Sequence, residues 1–159
     1  MHRHLAWVAL VLVAGLVACT KKTATTTDAE TPLEPTAVVR KFVELSAGAK
    51  DLRDREALQK MATGPVREAF DKMSEENFQM SYLDNRIRVK DFAIVESHQE
   101  GAAAIVRYKV TIENAGGSDT TTEANERQVQ LRQLDGRWVI ENLQVYGTDK
   151  IAFTNGMLF

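Results

Sequence analysis

The chain is short of the residues that most reactive chemistry requires. Of its 159 residues one is cysteine, Cys19, and of its three histidines two, His2 and His4, stand in the first four positions. A lone cysteine excludes a disulfide within the chain, and His98 is the only histidine downstream. A structural zinc takes about four His or Cys ligands and a catalytic zinc about three. Ser-His and Cys-His nucleophiles need an imidazole beside them. None of these constellations can be spelled from this inventory, and the sequence implies no metal, no cofactor and no catalytic residue. An excess of positive charge is missing as well: 20 Lys and Arg face 22 Asp and Glu, giving a formal charge of −2. With both signs mixed along the chain there is no basic field for nucleic acid.

What the chain does have begins at its N-terminus. His2, Arg3 and His4 form a short basic start, Leu5 to Val17 is apolar, and Ala18 before Cys19 is the small residue a signal peptidase needs at its cut. About 13 apolar residues at ~1.5 Å each reach about 20 Å, short of the roughly 30 Å hydrocarbon core. Residues 1–18 therefore read as a cleaved secretory signal. The alternatives are a secreted protein cut nearby and left with a free thiol, or a chance cysteine in an uncleaved anchor. An exposed lone thiol in an oxidising compartment is a liability, which weighs against both.

Leu16-Val17-Ala18-Cys19 resembles the bacterial lipobox. That resemblance implies a diacylglyceryl thioether on Cys19, acylation of its new amino group, and attachment to the membrane through covalent lipid. Several acyl chains at about 0.8 kcal/mol per buried CH₂ hold stably. Thr20 follows, where lipoproteins of Gram-negative bacteria retained at the inner membrane resemble one another in carrying Asp. The expected location is thus the cell envelope, on the periplasmic side of the outer membrane if the source has one.

Residues 19–34 are a Thr-rich tether without apolar periodicity. About a dozen flexible residues span roughly 20 Å, enough to hold a domain clear of the head groups. Residues 35–149 are enough for one domain and read as α+β. The Thr31-x-x-Glu34 pattern and Pro35 announce a helix, with Val38, Val39, Phe42, Val43 and Leu45 as its apolar stripe and Gly48 as its stop. Asp51 and Asp54 open a second helix bearing Leu58 and Met61. Thr63-Gly64-Pro65 starts a third with Val66, Ala69, Phe70 and Met73, and Ser74 caps a short fourth turn with Phe78, Tyr82 and Leu83.

From Ile87 the period shortens to two. Ile87, Val89, Phe92 and Ile94 nearly alternate, with an extra residue between Val89 and Phe92 that suggests a bulge. Gln99-Glu100-Gly101 reads as a turn. Val106, Tyr108, Val110 and Ile112 alternate cleanly with polar neighbours. Asn114 to Asp119 is a loop, Thr121 to Leu134 a long polar strand with Val129 and Leu131 at its better-buried end, and Asp135-Gly136 a two-residue hairpin turn. Trp138, Ile140, Leu143 and Val145 mark a last strand with a phase slip. No internal repeat is present. The tail, residues 150–159, is apolar and expected to dock on the domain or on a partner.

This order, with Pro35, Val38 and Val39 opening the first helix and Asp135-Gly136-Arg137-Trp138-Val139-Ile140 opening the last strand, resembles the nuclear transport factor 2-like superfamily. The resemblance spans roughly Pro35 to Tyr146. It implies a cone in which N-terminal helices pack on a strongly curved antiparallel sheet, with a concave side that can leave an apolar pocket. Candidate pocket-lining residues are Phe42, Phe70, Tyr82, Tyr108 and Trp138. Catalytic members of the superfamily place an Asp or His base and Tyr or Asp donors there. Those positions do not match residue by residue here, although Asp84, Glu126 and His98 are polar candidates beside the two tyrosines.

The leading expectation is a non-enzymatic envelope lipoprotein that binds a small apolar ligand or a protein partner. An isomerase or dehydratase using a buried carboxylate and a homo-oligomeric structural lipoprotein are the competing classes.

Overall fold

The computed structural model describes residues 32–84, 87–114 and 120–148. Cys19, the signal, the tether up to Thr31 and the tail beyond Thr148 lie outside the described residues. So does most of the loop expected between Asn114 and Asp119.

Four helices come first: α1 (Pro35–Ala47), α2 (Leu52–Lys60), α3 (Gly64–Lys72) and α4 (Glu75–Phe78). The first begins at Pro35 with Glu34 as its N-cap, and no side chain caps it. The capping pattern expected from Thr31 begins on a residue that lies outside the described ones. Proline's fixed φ and missing N–H already suit the first helical position, so the helix starts there. Asp51 and Asp54 do cap α2 reciprocally. Asp51 accepts the Arg53 N–H at 2.8 Å, while Asp54 accepts the N–H of Asp51 at 3.3 Å and of Lys50 at 2.7 Å. The Arg53 guanidinium, bonding the same carboxylate, holds the Asp51 pKa below its usual value. Ser74 Oγ accepts the Asn77 N–H at 3.1 Å and opens α4. This helix runs on as a five-residue π-turn, Gln79–Leu83, that the sequence reading did not foresee. The wider turn brings Tyr82 inward with Phe78, their rings stacked at 4.6 Å.

The sheet has four antiparallel strands in sequence order: β1 (Ile87–Glu100), β2 (Ala103–Asn114), β3 (Thr121–Leu134) and β4 (Arg137–Val145). The register of β1 on β2 shifts between Val89 and Asp91, where a bulge is expected, and again between Ile94 and Glu96. A further shift at Gln130/Leu131 accounts for the phase slip in β4. Such bulges bend strands and sharpen their twist. Gln99 and Glu100, expected in a turn, are instead the last two residues of β1, paired with Ala104 and Ala103. Gly101 adopts φ 56° and lets the chain reverse in only two residues, so the ladder runs to its end. Asp135 and Gly136, at φ 50° and 76°, form the second two-residue hairpin.

The core lies between the helices and one face of this sheet. Val39, Phe42 and Val43 of α1, Leu58 of α2, Val66 and Phe70 of α3 and Phe78 meet Val106, Tyr108, Val110, Val129, Leu131, Ile140 and Leu143. Two arginines tie the helices together through main-chain carbonyls. Arg55 donates to the oxygens of Phe70 and Met73 at the C-terminal end of α3, and Arg67 donates to that of Gln59 at 2.9 Å. The α2–α3 connection also bonds the edge of β4, Thr63 N–H to Ile140 O at 2.7 Å and Ile140 N–H to Met61 O at 2.8 Å. These bonds use backbone groups that would otherwise be an open sheet edge.

Phe70 is fully buried and makes an edge contact with Phe42 at 6.2 Å and a tilted one with Tyr82 at 6.0 Å. Its truncation, Phe70→Ala, is expected to cost about 3–5 kcal/mol in urea unfolding. Ile105→Ala, on the exposed side of β2, should cost less than about 0.5 kcal/mol.

Candidate functional site

Alternation on a strand decides which side chains enter the core. On β2 the even positions, Ala104, Val106, Tyr108, Val110 and Ile112, are buried. On β3 the buried positions are Arg127, Val129 and Leu131. Tyr108 and Arg127 pair directly across the two strands and therefore share the covered face. Ile94 lies opposite Tyr108 on its other side, and Val145 opposite Arg127. A charged group and a phenol thus sit in the middle of an aliphatic layer.

Arg127 is 7% exposed, and among the described residues it and Ser46 are the buried polar side chains. Ser46 is satisfied by donating to the Phe42 carbonyl at 2.6 Å. Arg127 is not: Nη1 donates to the carbonyl of its own neighbour, Glu126, at 3.2 Å, and Nε is buried without a partner among the described residues. The hydroxyls of Tyr108 and Tyr82 are buried and unpartnered in the same sense. Burial raises both phenol pKa values, and for Tyr108 the nearby guanidinium offsets part of that rise. Both tyrosines stay protonated through the physiological range and present O–H groups able to donate or accept. Burial lowers the Arg127 pKa from its usual value, with Tyr108 acting in the opposite direction.

The five candidate pocket residues are buried members of the core. Phe42, Phe70, Tyr82, Tyr108 and Trp138 all belong to one buried cluster, which also holds Phe78. Phe92 stacks on Tyr108 at 5.1 Å, and Arg40 of α1 lies over the outer side of Phe92 at 4.6 Å. The polar candidates are elsewhere. Asp84 is exposed after the π-turn and His98 is exposed on β1. Glu126 faces the opposite side of the sheet, where it pairs with Arg107 at 3.3 Å and Lys109 at 3.7 Å. Arg107 in turn reaches Glu96 at 3.4 Å and donates to the Tyr146 hydroxyl at 2.6 Å. Among the described residues the core therefore offers a general base no carboxylate, and no three His, Cys, Asp or Glu side chains converge as metal ligands would. A surface depression of about 410 Å³ is lined by Leu33, Thr36, Ala37, Arg40, Lys41, Glu44 and Ile94, the last of which packs against this cluster.

Arg127 is the residue the sequence reading missed. Its strand is polar almost throughout, and a lone arginine there reads as solvated. The available signal was phase: stepping back by twos from Leu131 and Val129 arrives at Arg127.

No protein-family model matches the sequence, and no curated protein matches it. Solved structures do resemble the fold. The intermembrane space region of the chloroplast protein ARC6 is 13% identical, with 72% of this chain and 98% of that one covered and a TM-score of 0.51. A SEC-C motif containing protein from Rhodopseudomonas palustris is 16% identical over 70% and 77% of the two chains, at 0.50. An NTF2-like protein with a cystatin-like fold from Novosphingobium aromaticivorans is 10% identical over 75% and 88%, at 0.47. At such identities the likeness concerns fold alone. The shared fold is α+β, with N-terminal helices laid on a bent four-stranded antiparallel sheet.

Removing an unpartnered buried hydroxyl relieves a desolvation penalty. Tyr108→Phe is therefore expected to leave the ligand-free protein as stable or up to about 1 kcal/mol more stable in urea unfolding. In the wild type, stability should hold up to about pH 10, the ordinary tyrosine value. It should fall above that, because the unfolded chain releases phenolic protons that the folded core retains. Tyr108→Phe should make this alkaline decline shallower.

Proposed function

We propose that this protein is a lipid-anchored envelope module that binds a small, largely apolar ligand between its helices and the covered face of its sheet, without chemical turnover. The observation that carries the binding part is the set of unpartnered hydroxyls of Tyr82 and Tyr108 inside an aromatic and aliphatic cluster. Each buried polar group left without a partner costs about 1–3 kcal/mol. A ligand that supplied the missing partners would recover that cost on binding. Phe42, Phe70 and Trp138, with the two tyrosines, would supply the apolar contact.

The anchoring part rests on Leu16-Val17-Ala18-Cys19, on the apolar run before it and on the Thr-rich segment after it. Lipid on Cys19 would fix the domain near the membrane surface, on the periplasmic side of the outer membrane in a Gram-negative cell. A module held there could collect or hand over a molecule that partitions poorly into water.

Native mass spectrometry of the full chain extracted from membranes tests both parts. The expected result is a mature chain beginning at Cys19 with acyl groups attached, together with a non-covalent small apolar adduct lost on denaturation. Cys19→Ala should remove the acyl mass. An unmodified chain of precursor length would overturn the anchoring, and a lipidated chain carrying no adduct and accepting no added apolar compound would overturn the binding.

A further inference from the structure

We infer that the ligand site is built for an anion: Arg127 and Tyr108 form its polar end and take the carboxylate of an apolar monocarboxylic acid. This rests on the reading of the interior as a binding site and adds the charge class of what enters it.

The inference starts from an imbalance of charge. Among the described residues Arg127 is the buried charged side chain, and no buried Asp or Glu accompanies it. A guanidinium removed from water without a counter-ion is strongly unfavourable. The sequence offers a carboxylate one residue away, yet alternation turns Glu126 to the other face and holds it there with Arg107 and Lys109. Among the described residues Nε has no partner, and Nη1 donates to the adjacent carbonyl of Glu126. The fork of a guanidinium is shaped for bidentate pairing with a carboxylate.

Directly across the ladder stands the Tyr108 hydroxyl, also unpartnered and fully buried. It is a second donor beside the first. Arg127 Nε and the Tyr108 hydroxyl are thus two buried donors on directly paired positions of the covered face, and neither has an acceptor among the described residues.

The size of the charge narrows the class. One fixed positive charge is neutralised by one negative charge, which a carboxylate carries at neutral pH. A phosphate monoester, carrying about −1.5 to −2, would leave surplus negative charge buried among Val106, Val110 and Val129. The same valines, with Phe92 stacked on Tyr108, suit a hydrocarbon or aromatic body attached to the acid group.

The full chain reconstituted in lipid nanodiscs, labelled with ¹⁵N in its arginine side chains and with ¹³C in its valine methyls, reads this through the Arg127 Nε–H resonance and, in variants that lack it, through the methyls of Val106, Val110 and Val129. Octanoate, 1-octanol and octyl phosphate, each titrated below its micellar concentration, share a chain and differ in head group. The expected result is that octanoate shifts the resonance and saturates it with an affinity at least tenfold above that of octanol and octyl phosphate. Arg127→Met should abolish that preference while octanol binding persists, and Arg127→Lys should restore part of it. Equal binding of octanoate and octanol would overturn the inference and leave the apolar binding site standing. Tighter binding of octyl phosphate would overturn the carboxylate class. Core resonances unmoved by all three compounds would overturn this inference together with the binding reading beneath it. The comparison among head groups is made on the wild-type chain, so it decides the matter even if Arg127→Met fails to fold.

Discussion

A β-strand has two faces, and the whole arrangement depends on which residues the pleat turns toward the helices. In β2 and β3 that choice puts Val106, Val110, Val129 and Leu131 under α1 and its neighbours, and with them Tyr108 and Arg127. The aliphatic members drive the packing, since burying apolar surface is worth roughly 25 cal/mol per Å². The polar pair opposes it. The register that buries five positions of β2 also drags a guanidinium out of water, and shifting β3 by one residue to release it would expose Val129 and Leu131. The fold therefore contains a cost that its own packing enforces. A site that waits for a ligand is one physical reason for such a cost to persist.

The helices were legible to the extent that local chemistry specifies them. Pro35 at a first helical position, the Asp51 and Asp54 box and Ser74 before α4 all act within one turn of chain, and each stands where the spacing put it. The same holds for Asp135-Gly136, whose left-handed backbone forces the hairpin. What the sequence left hidden is non-local. The π-turn at Gln79–Leu83 follows from seating Tyr82 against Phe78 and Phe70, a tertiary demand with no local signature. The continuation of β1 through Glu100 follows from its pairing with Ala103. The candidate aromatic residues were found because stripes at helical and strand period exist to be buried. Arg127 was not, because residue type suggested solvent while strand phase dictated burial.

Polar chemistry is thereby sorted onto opposite faces of one sheet. On the open face, Arg107 is paired with Glu96 and Glu126 and bonded to Tyr146. Its charge is balanced in place. On the covered face Arg127 has no such company among the described residues. Two arginines on adjacent strands thus differ in their ion pairing: Arg107 has carboxylate partners, and Arg127 has none among the described residues.

Arg127, buried without a carboxylate partner among the described residues, should cost the ligand-free protein stability. The most direct test is the unfolding free energy of Arg127→Met against wild type, measured in urea on protein stripped of bound small molecules by a cycle of unfolding and refolding. Methionine keeps an unbranched stem and removes the unpaired charge, so the variant should be more stable by upwards of about 1 kcal/mol. A loss of about 1 kcal/mol or more would contradict the account and make Arg127 a structural support of the core.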